Sequence, residues 1–307
     1  MPCYHPQNAV RTADGKILYG KVSHFQENLK LPCGQCIGCR LERSASWAAR
    51  CVHEASLFGD KNEFVTLTYA PEHLPHGGVL VHRHFQLFFK RLRKAFGKGP
   101  RYFMCGEYGE DKSRPHYHAI IFNWRAPDRQ PWKVINGNTY YKSAVLQKLW
   151  GLGHTMTANV TFESSAYVAR YITKKINGTA QKAHYEKMLP ATGELIDLPP
   201  EYCRPSTNPG IGSAWFDKFH GDLYPSDQCI VLGKSPRKLK VPRYYDKKLE
   251  KLNPELLQQI KKQRLDRAKE IESDLPERLL IREEAQMLKA EQLLRGYENG
   301  SSDFLGL

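Results

Sequence analysis

The run Phe64–Tyr69, FVTLTY, alternates Val65, Leu67 and Tyr69 with Thr66 and Thr68. That two-residue period belongs to a half-buried strand, which needs a sheet beside it and an apolar layer over it. Both follow in the sequence. His84–Gly97 spaces Phe85, Phe88, Phe89, Leu92 and Phe96 at helical intervals, with basic residues on the outer face and Gly97 to end it. Arg101–Glu107 and His116–Phe122 read as two further strands joined by the polar connection YGEDKSRP. Ser143–Trp150 reads as a short helix, Thr155–Phe162 as an alternating strand and Ser165–Ile176 as a helix, while Leu41–Leu57, stopped by Gly59, is a helix ahead of them all. This order of elements predicts an α+β fold, a mostly antiparallel sheet with helices packed on it.

Four stretches of different character line up along the chain. Residues 1–60 hold a cysteine-containing segment and the first helix, and 61–180 hold the strands and helices just named. Residues 181–246 are rich in proline, glycine, aromatic and basic residues without clean periodicity. In 247–307 Asn253 is placed to cap a helix with Pro254 at its first position, and Pro276 divides a helical C-terminal extension in two.

Charge narrows the partner. Lysine and arginine number 46 against 32 acidic residues, a net charge of +14, yet residues 247–307 carry 12 of each sign. The whole basic excess therefore lies in residues 1–246, where a polyphosphate partner is neutralised and its counterions are released. An apolar content of 41% excludes wholesale disorder. No eighteen-residue apolar run exists, and the opening Met1-Pro2-Cys3-Tyr4-His5 has no secretory pattern. The expectation is a protein with no membrane partner that stays where it is made, its eight cysteines reduced.

Chemistry concentrates in Arg114–Phe122, RPHYHAIIF. On a strand His116 and His118 present two imidazoles to one side while Tyr117 points away. Two neighbouring imidazoles suit a divalent metal, and a third ligand comes from an adjacent strand. Glu107, ending the preceding strand, is the candidate, with Glu110 and Asp111 in the connection as weaker alternatives. A second constellation lies in YVARYITKK, where Tyr167, Tyr171 and Lys174 share one helical stripe with Arg170 beside it, and Val168, Ile172 and Ile176 form a separate apolar stripe. Cleavage of a phosphodiester by a tyrosine hydroxyl needs such parts: a phenol with a free pKa of about 10, a cation to favour its ionised form, and a metal to polarise the phosphate.

The segment PCGQCIGCR sets Cys33, Cys36 and Cys39 on a tight glycine-containing turn. Cys3, His5, Cys51 and His53 are available as a fourth ligand, and with Cys3 the set is that of a structural Zn²⁺ site; the alternative is unligated thiols. This cluster is not expected to touch the reaction. Gly233-Lys234-Ser235 is not a nucleotide-binding loop, because Gln228 stands where its first glycine belongs.

FVTLTY, PHYHAIIF and YVARYITKK, in that order, resemble the three motifs of the rolling-circle replication initiators, endonucleases of the histidine–hydrophobic–histidine (HUH) superfamily. The paired tyrosines are similar to its two-tyrosine class. The whole chain, PCGQCIGCR included, resembles the initiators of small single-stranded DNA phages of the microvirus family, gokushovirus type. The resemblance implies an HUH-type, ferredoxin- or RRM-like sheet, with Glu107, His116 and His118 holding Mg²⁺ or Mn²⁺ and Tyr167 and Tyr171 as nucleophiles. Lys174 matches the lysine after a catalytic tyrosine, whereas Arg170 stands where a lysine is common. The implied activity is nicking and joining of origin DNA, single-stranded or supercoiled, through a 5′-phosphotyrosine. A host helicase and DNA polymerase are the implied partners and the host-cell cytoplasm the setting. Lys90, Arg91, Arg93 and Lys94 on the first basic helix, and Lys238, Lys240, Arg243 and Tyr244 further on, are expected to hold the DNA, with Tyr244 or Tyr245 stacking on unpaired bases. A single-strand DNA transposase of the HUH type and a non-catalytic zinc-knuckle nucleic-acid-binding protein are the rival readings.

Overall fold

The computed structural model describes residues 3–14, 16–20, 27–109, 114–135, 137–174, 180–189, 192–232, 236–270 and 276–302, and excludes the side chains of 27–28, 171–174, 180–181, 268–270, 276 and 291–302. Glu110 and Asp111 lie outside the described residues. In chain order the elements are β1 (Gln7–Arg11), β2 (Ile17–Tyr19), β3 (Glu27–Leu31), α1 (Ile37–Ser56), β4 (Asn62–Thr68), α2 (His82–Phe96), β5 (Arg101–Tyr108), β6 (Pro115–Phe122), β7 (Gln130–Ile135), β8 (Asn138–Lys142), α3 (Ala144–Trp150), β9 (Thr155–Ala158) and α4 (Phe162–Lys174). There follow α5 (Ala180–Tyr185), β10 (Glu186–Met188), β11 (Leu195–Asp197), β12 (Tyr202–Pro205), α6 (Ser213–Phe219), β13 (Cys229–Val231), β14 (Arg237–Leu239), α7 (Arg243–Leu252), α8 (Pro254–Glu270) and α9 (Pro276–Ser302).

The centre is a seven-stranded sheet in the order β12-β5-β6-β4-β9-β8-β7. Every pairing in it is antiparallel, so the predicted α+β class holds. Strand alternation sorts its side chains into two layers. Val65, Leu67, Tyr117, Ala119 and Ile121 face Phe85, Phe88, Phe89 and Leu92 of α2 and Trp150 of α3. Phe85, Phe88 and Leu92 are fully buried, each worth roughly 1.5–3 kcal/mol of apolar burial. Phe64, Phe103, Cys105, Ile120 and Phe122 face the other way, onto Tyr167, Val168 and Ala169 of α4 and Cys51 of α1. A third core, with Ala48, Ala49, Phe216, Tyr245, Leu249 and Ile260, fastens α6, α7 and α8 to the outer side of α1.

The alternation from Thr155 breaks four residues earlier than its sequence pattern predicts. Thr161 and Ser164 exchange side-chain and backbone hydrogen bonds, Thr161 N–H to Ser164 Oγ at 2.8 Å and Ser164 N–H to Thr161 Oγ1 at 3.1 Å. Such a reciprocal cap starts a helix, and α4 begins at Phe162. Ahead of β9, Gly153 lies against the exit of β4, where an added Cβ would run into the backbone of Thr68 and Ala70; the crossing admits only glycine.

Several elements carry no clean signal in sequence. β12 comes from the proline-rich stretch after residue 181 and completes the sheet beside β5, Cys203 opposite Cys105. β7 and β8 form an edge hairpin, and β1–β3 form a separate small sheet in the order β2-β1-β3 ahead of α1. In the C-terminal extension Asn253 Oδ1 accepts from Leu256 N–H at 2.9 Å, capping α8 as expected. Among the described residues no helix is long and apolar enough to cross a membrane.

Candidate active site

Register on the central strands puts the chemistry together. Glu107 of β5 lies opposite His116 of β6, and Cys105 opposite His118; on the other side of β6, Thr66 of β4 lies opposite His118 and Thr68 opposite His116. Because His116, His118 and Glu107 share strand parity, all three side chains emerge on the α4 face. Glu107, His116 and His118 are 3%, 8% and 4% exposed.

The donor atoms converge. Glu107 Oε1 stands 2.5 Å from His116 Nε2 and 3.2 Å from His118 Nε2, and the three ligand atoms lie within 4.8 Å of one another. His116 Nδ1–H donates to the carbonyl of Arg114 at 3.0 Å, which turns Nε2 toward the carboxylate. His118 Nδ1 meets the Thr66 hydroxyl at 2.9 Å. Outer hydrogen bonds of this kind fix the tautomer and aim of metal-binding imidazoles. Among the described residues the second carboxylate oxygen, Glu107 Oε2, is buried without a hydrogen-bond partner. Burial pushes the Glu107 carboxyl up, but the two imidazoles beside it outweigh that and hold it at about 2. An ionised buried carboxylate with an idle oxygen, facing imidazole nitrogens, is a donor set that fits a small divalent cation.

Tyr167 of α4 reaches this cluster. Its ring stands edge-on to His118 with centroids 5.2 Å apart and edge-on to Phe64 at 6.2 Å. The Arg170 guanidinium lies 5.9 Å from the same ring. The helical stripe in sequence sets Tyr167 apart from the packed face; instead it is 4% exposed, beside fully buried Val168 and Ala169. The reason is that α4 is covered on two sides, by the sheet and by α1, so its buried arc is wider than one stripe. Tyr171 and Lys174 lie in the last turn of α4, one and two turns beyond Tyr167, and their side chains lie outside the described ones.

The residues expected to hold DNA divide. Lys90, Arg91, Arg93 and Lys94 belong to α2, on the face of the sheet opposite the imidazoles. Arg91 donates to the carbonyls of Leu149 and Trp150 at 2.7 and 2.8 Å, and Arg93 to that of Pro100 at 3.0 and 2.8 Å. These two arginines are tied to backbone carbonyls, Arg91 at an exposed position and Arg93 at a half-buried one, while Lys90 and Lys94 stand exposed. Lys238 and Arg243 are exposed, while Lys240 pairs with Glu42 at 3.0 Å. Tyr244 is half-buried with the Arg50 guanidinium 4.0 Å from its ring. Tyr245 is wholly buried, which removes it from any stacking on bases: Tyr245 and Leu249 are one turn apart on the inward stripe of α7.

Thr66 was not singled out in sequence. Its signal is the polar parity of FVTLTY, but only the pairing register shows that this parity faces His118. The four thiols Cys3, Cys33, Cys36 and Cys39 also gather, their sulfurs within 4.8 Å of one another.

With this geometry in view, comparison with known proteins is direct. Residues 62–176, which span β4 to α4, match the family model of the replication-associated protein ORF2/G2P. Replication-associated protein VP4 of Bdellovibrio phage phiMH2K is 33% identical over 267 residues, covering 83% of this chain and 79% of that protein. This chain belongs to the replication-associated protein family. Replication-associated protein ORF2 of Spiroplasma virus 4 is 33% identical over 245 residues, 76% of this chain and 72% of its own. Replication-associated protein ORF4 of Chlamydia phage 1 is 33% identical over 166 residues, 51% and 41% of the two chains. No solved structure matches. The resemblance read from the three motifs is thus met by phage relatives, and the family match covers both the imidazole strand and the tyrosine helix.

Proposed function

We propose that the chain initiates and terminates rolling-circle replication by nicking and joining origin DNA through a tyrosine. The observation that carries this reading is the edge-on contact of Tyr167 with His118, which sets a phenol beside the Glu107, His116 and His118 donor set. Glu107 Oε1 and the two Nε2 atoms would hold Mg²⁺ or Mn²⁺, and the ion supplies Lewis-acid polarisation of the scissile phosphate. Oη of Tyr167 or Tyr171 attacks phosphorus, the bond to the 3′-oxygen breaks, and the phenolic proton ends on the released 3′-hydroxyl. The product is a 5′-phosphotyrosine that keeps the energy of the broken bond. Arg170 and Lys174 offset the negative charge that builds.

The free 3′-hydroxyl primes synthesis by a host polymerase, with unwinding left to a host helicase in the host-cell cytoplasm. When the origin is remade, the second tyrosine cleaves it and the new 3′-hydroxyl attacks the first phosphotyrosine, closing a circle. Residues four apart on a helix lie roughly 5–6 Å apart at Cβ, close enough to alternate at one ion.

Incubation with single-stranded segments of the genome that encodes the chain, with Mn²⁺ present, tests this. The expected result is a protein–DNA adduct that survives denaturation and disappears in the Tyr167→Phe, Tyr171→Phe double variant. Binding without an adduct would leave a non-catalytic DNA-binding protein. Loss of both cleavage and joining from one tyrosine replacement alone would favour the one-tyrosine transposase.

A further inference from the structure

We propose that Cys3, Cys33, Cys36 and Cys39 bind one Zn²⁺ as a tetrathiolate, and that this ion sets the N-terminal sheet and the first turn of α1 against the tyrosine end of α4. Spacing within the cluster separates a single ion from a polynuclear cluster. Four sulfurs around one zinc at about 2.3 Å stand roughly 3.8 Å apart in a tetrahedron. Here Cys36 Sγ and Cys3 Sγ are 3.9 Å apart, and all four lie within 4.8 Å. A four-iron cluster places each thiolate on a different iron and spreads the sulfurs wider. The backbone is shaped for thiolates as well: Gly34 has a φ of +74°, and the turn it makes aims the N–H groups of Gln35 and Cys36 at Cys33 Sγ, at 3.4 and 3.3 Å. Tyr4 N–H points at Cys36 Sγ at 3.4 Å and Cys33 N–H at Cys3 Sγ at 3.2 Å.

The position of this site gives it a role. Pairing of Gln7 with Leu31 in β1–β3 brings Cys3 and Cys33 to the same end of the small sheet, and Cys36 is the N-cap of α1. A three-stranded sheet whose described buried apolar residues are Ala9 and Val10 has little core of its own, so metal binding supplies folding free energy. Ser44 Oγ donates to the Ala166 carbonyl at 3.2 Å, and a turn later Ala48 and Ala49 share a core with Phe162. The two helices therefore run antiparallel, and the thiol end of α1 is level with the last turn of α4.

Metal analysis of the intact, reduced chain tests the assignment without reference to DNA cleavage. About one zinc per chain is expected, retained by the His116→Ala, His118→Ala double variant and lost from Cys33→Ser, Cys36→Ser. Because the thiol variant can fail to fold, the wild-type chain gives a second readout: a thiol-blocking mercurial releases the zinc as four thiols react. Absence of metal, iron in place of zinc, or zinc lost from the histidine variant overturns the proposal.

A different observation carries a second inference, which rests on single-stranded DNA being the substrate. We infer that Trp132 and the lysines beside it form a base-stacking platform at the far edge of the sheet. Pro131 pairs with Tyr141 and Lys133 with Tyr140, so Trp132 is the extra residue of a bulge, a device that re-aims a side chain. Tyr140 packs in the same layer as Phe64 and Tyr167, so by strand parity Lys133 and Lys142 point to that face too. Their ammonium groups lie 4.5 and 4.1 Å from the Trp132 ring centre, and the ring is 38% exposed. Thr66 lies opposite both His118 and Met156, and Lys142 falls level with Met156, three strand spacings from His118, about 14 Å. An aromatic face flanked by cations suits an unpaired base and its phosphates.

The test is fluorescence anisotropy of an oligothymidylate with the full chain in chelator, where no cleavage is scored. Trp132→Ala is expected to weaken binding roughly fivefold to a hundredfold, with Trp132→Phe close to wild type. Unchanged affinity in Trp132→Ala overturns the platform. So does a change in self-association without a change in DNA affinity, which would make this edge a protein contact.

Discussion

The Tyr167 ring stands perpendicular to the His118 ring, at an interplanar angle of 80° and a centroid distance of 5.2 Å. Removing only the hydroxyl keeps this packing, so Tyr167→Phe separates chemistry from structure. Its thermal stability is expected within about 1–2 kcal/mol of wild type. Formation of the covalent adduct at its site is expected to fall by roughly a thousandfold, about 4 kcal/mol of transition-state stabilisation. Quantifying adduct on denaturing gels for Tyr167→Phe and Tyr171→Phe separately checks this; an unaltered rate in Tyr167→Phe would leave its burial as mere packing.

Much of this site is legible before any fold is known. Period-two alternation puts His116 and His118 on one side, and the hairpin after β5 folds Glu107 back to them. What is not legible depends on register and on coverage. Thr66 is aimed at His118 only because β4 pairs with β6 in one particular register. Tyr167 is buried because α1 closes over a second side of α4, a contact between segments that sequence period cannot show. β12 hides in a proline-rich stretch with few apolar residues of regular spacing. Arg91 and Arg93 read as a DNA-binding face because charge alone does not reveal that backbone carbonyls already occupy them.

Thr66→Val keeps the volume and removes the hydroxyl that meets His118 Nδ1 at 2.9 Å. The imidazole then loses the partner that fixes its aim, and loss of an outer hydrogen bond typically costs roughly 10- to 100-fold in metal affinity. Calorimetric titration with Mn²⁺ is expected to show this loss, while Glu107→Gln, which removes a ligand charge, binds more weakly still. Equal Mn²⁺ affinity in Thr66→Val and wild type would show that His118 is held by packing on Phe64 instead.

His53 of α1 makes the fold sensitive to mild acid. It stacks on Trp215 at 3.6 Å, its Nδ1 lies 3.0 Å from the Tyr245 hydroxyl, and burial holds its imidazole down to about 4 from the ordinary 6.5. The unfolded chain therefore takes up a proton near pH 6.5 that the folded chain refuses until about pH 4. Stability falls as pH drops through that window, by about 2 kcal/mol at pH 5 and roughly 3 kcal/mol in full. Urea unfolding at pH 7 and pH 5 measures the slope, and His53→Gln is expected to flatten it by that amount.

Lys90 and Arg91 are neighbours on α2 with opposite expectations. Lys90 is exposed on the layer behind the sheet, so the Lys90→Ala, Lys94→Ala double variant is expected to cleave origin DNA within about twofold of wild type at low salt, with only a small change in the salt dependence of binding. Arg91 instead donates to the carbonyls of Leu149 and Trp150, which are end groups of α3 without partners inside the helix. Arg91→Ala removes both bonds and is expected to cost about 1–3 kcal/mol of stability, read as a lower urea midpoint with DNA affinity little changed in the folded fraction. A large loss of DNA cleavage from the lysine pair, with the fold intact, would show that DNA wraps to the far face of the sheet.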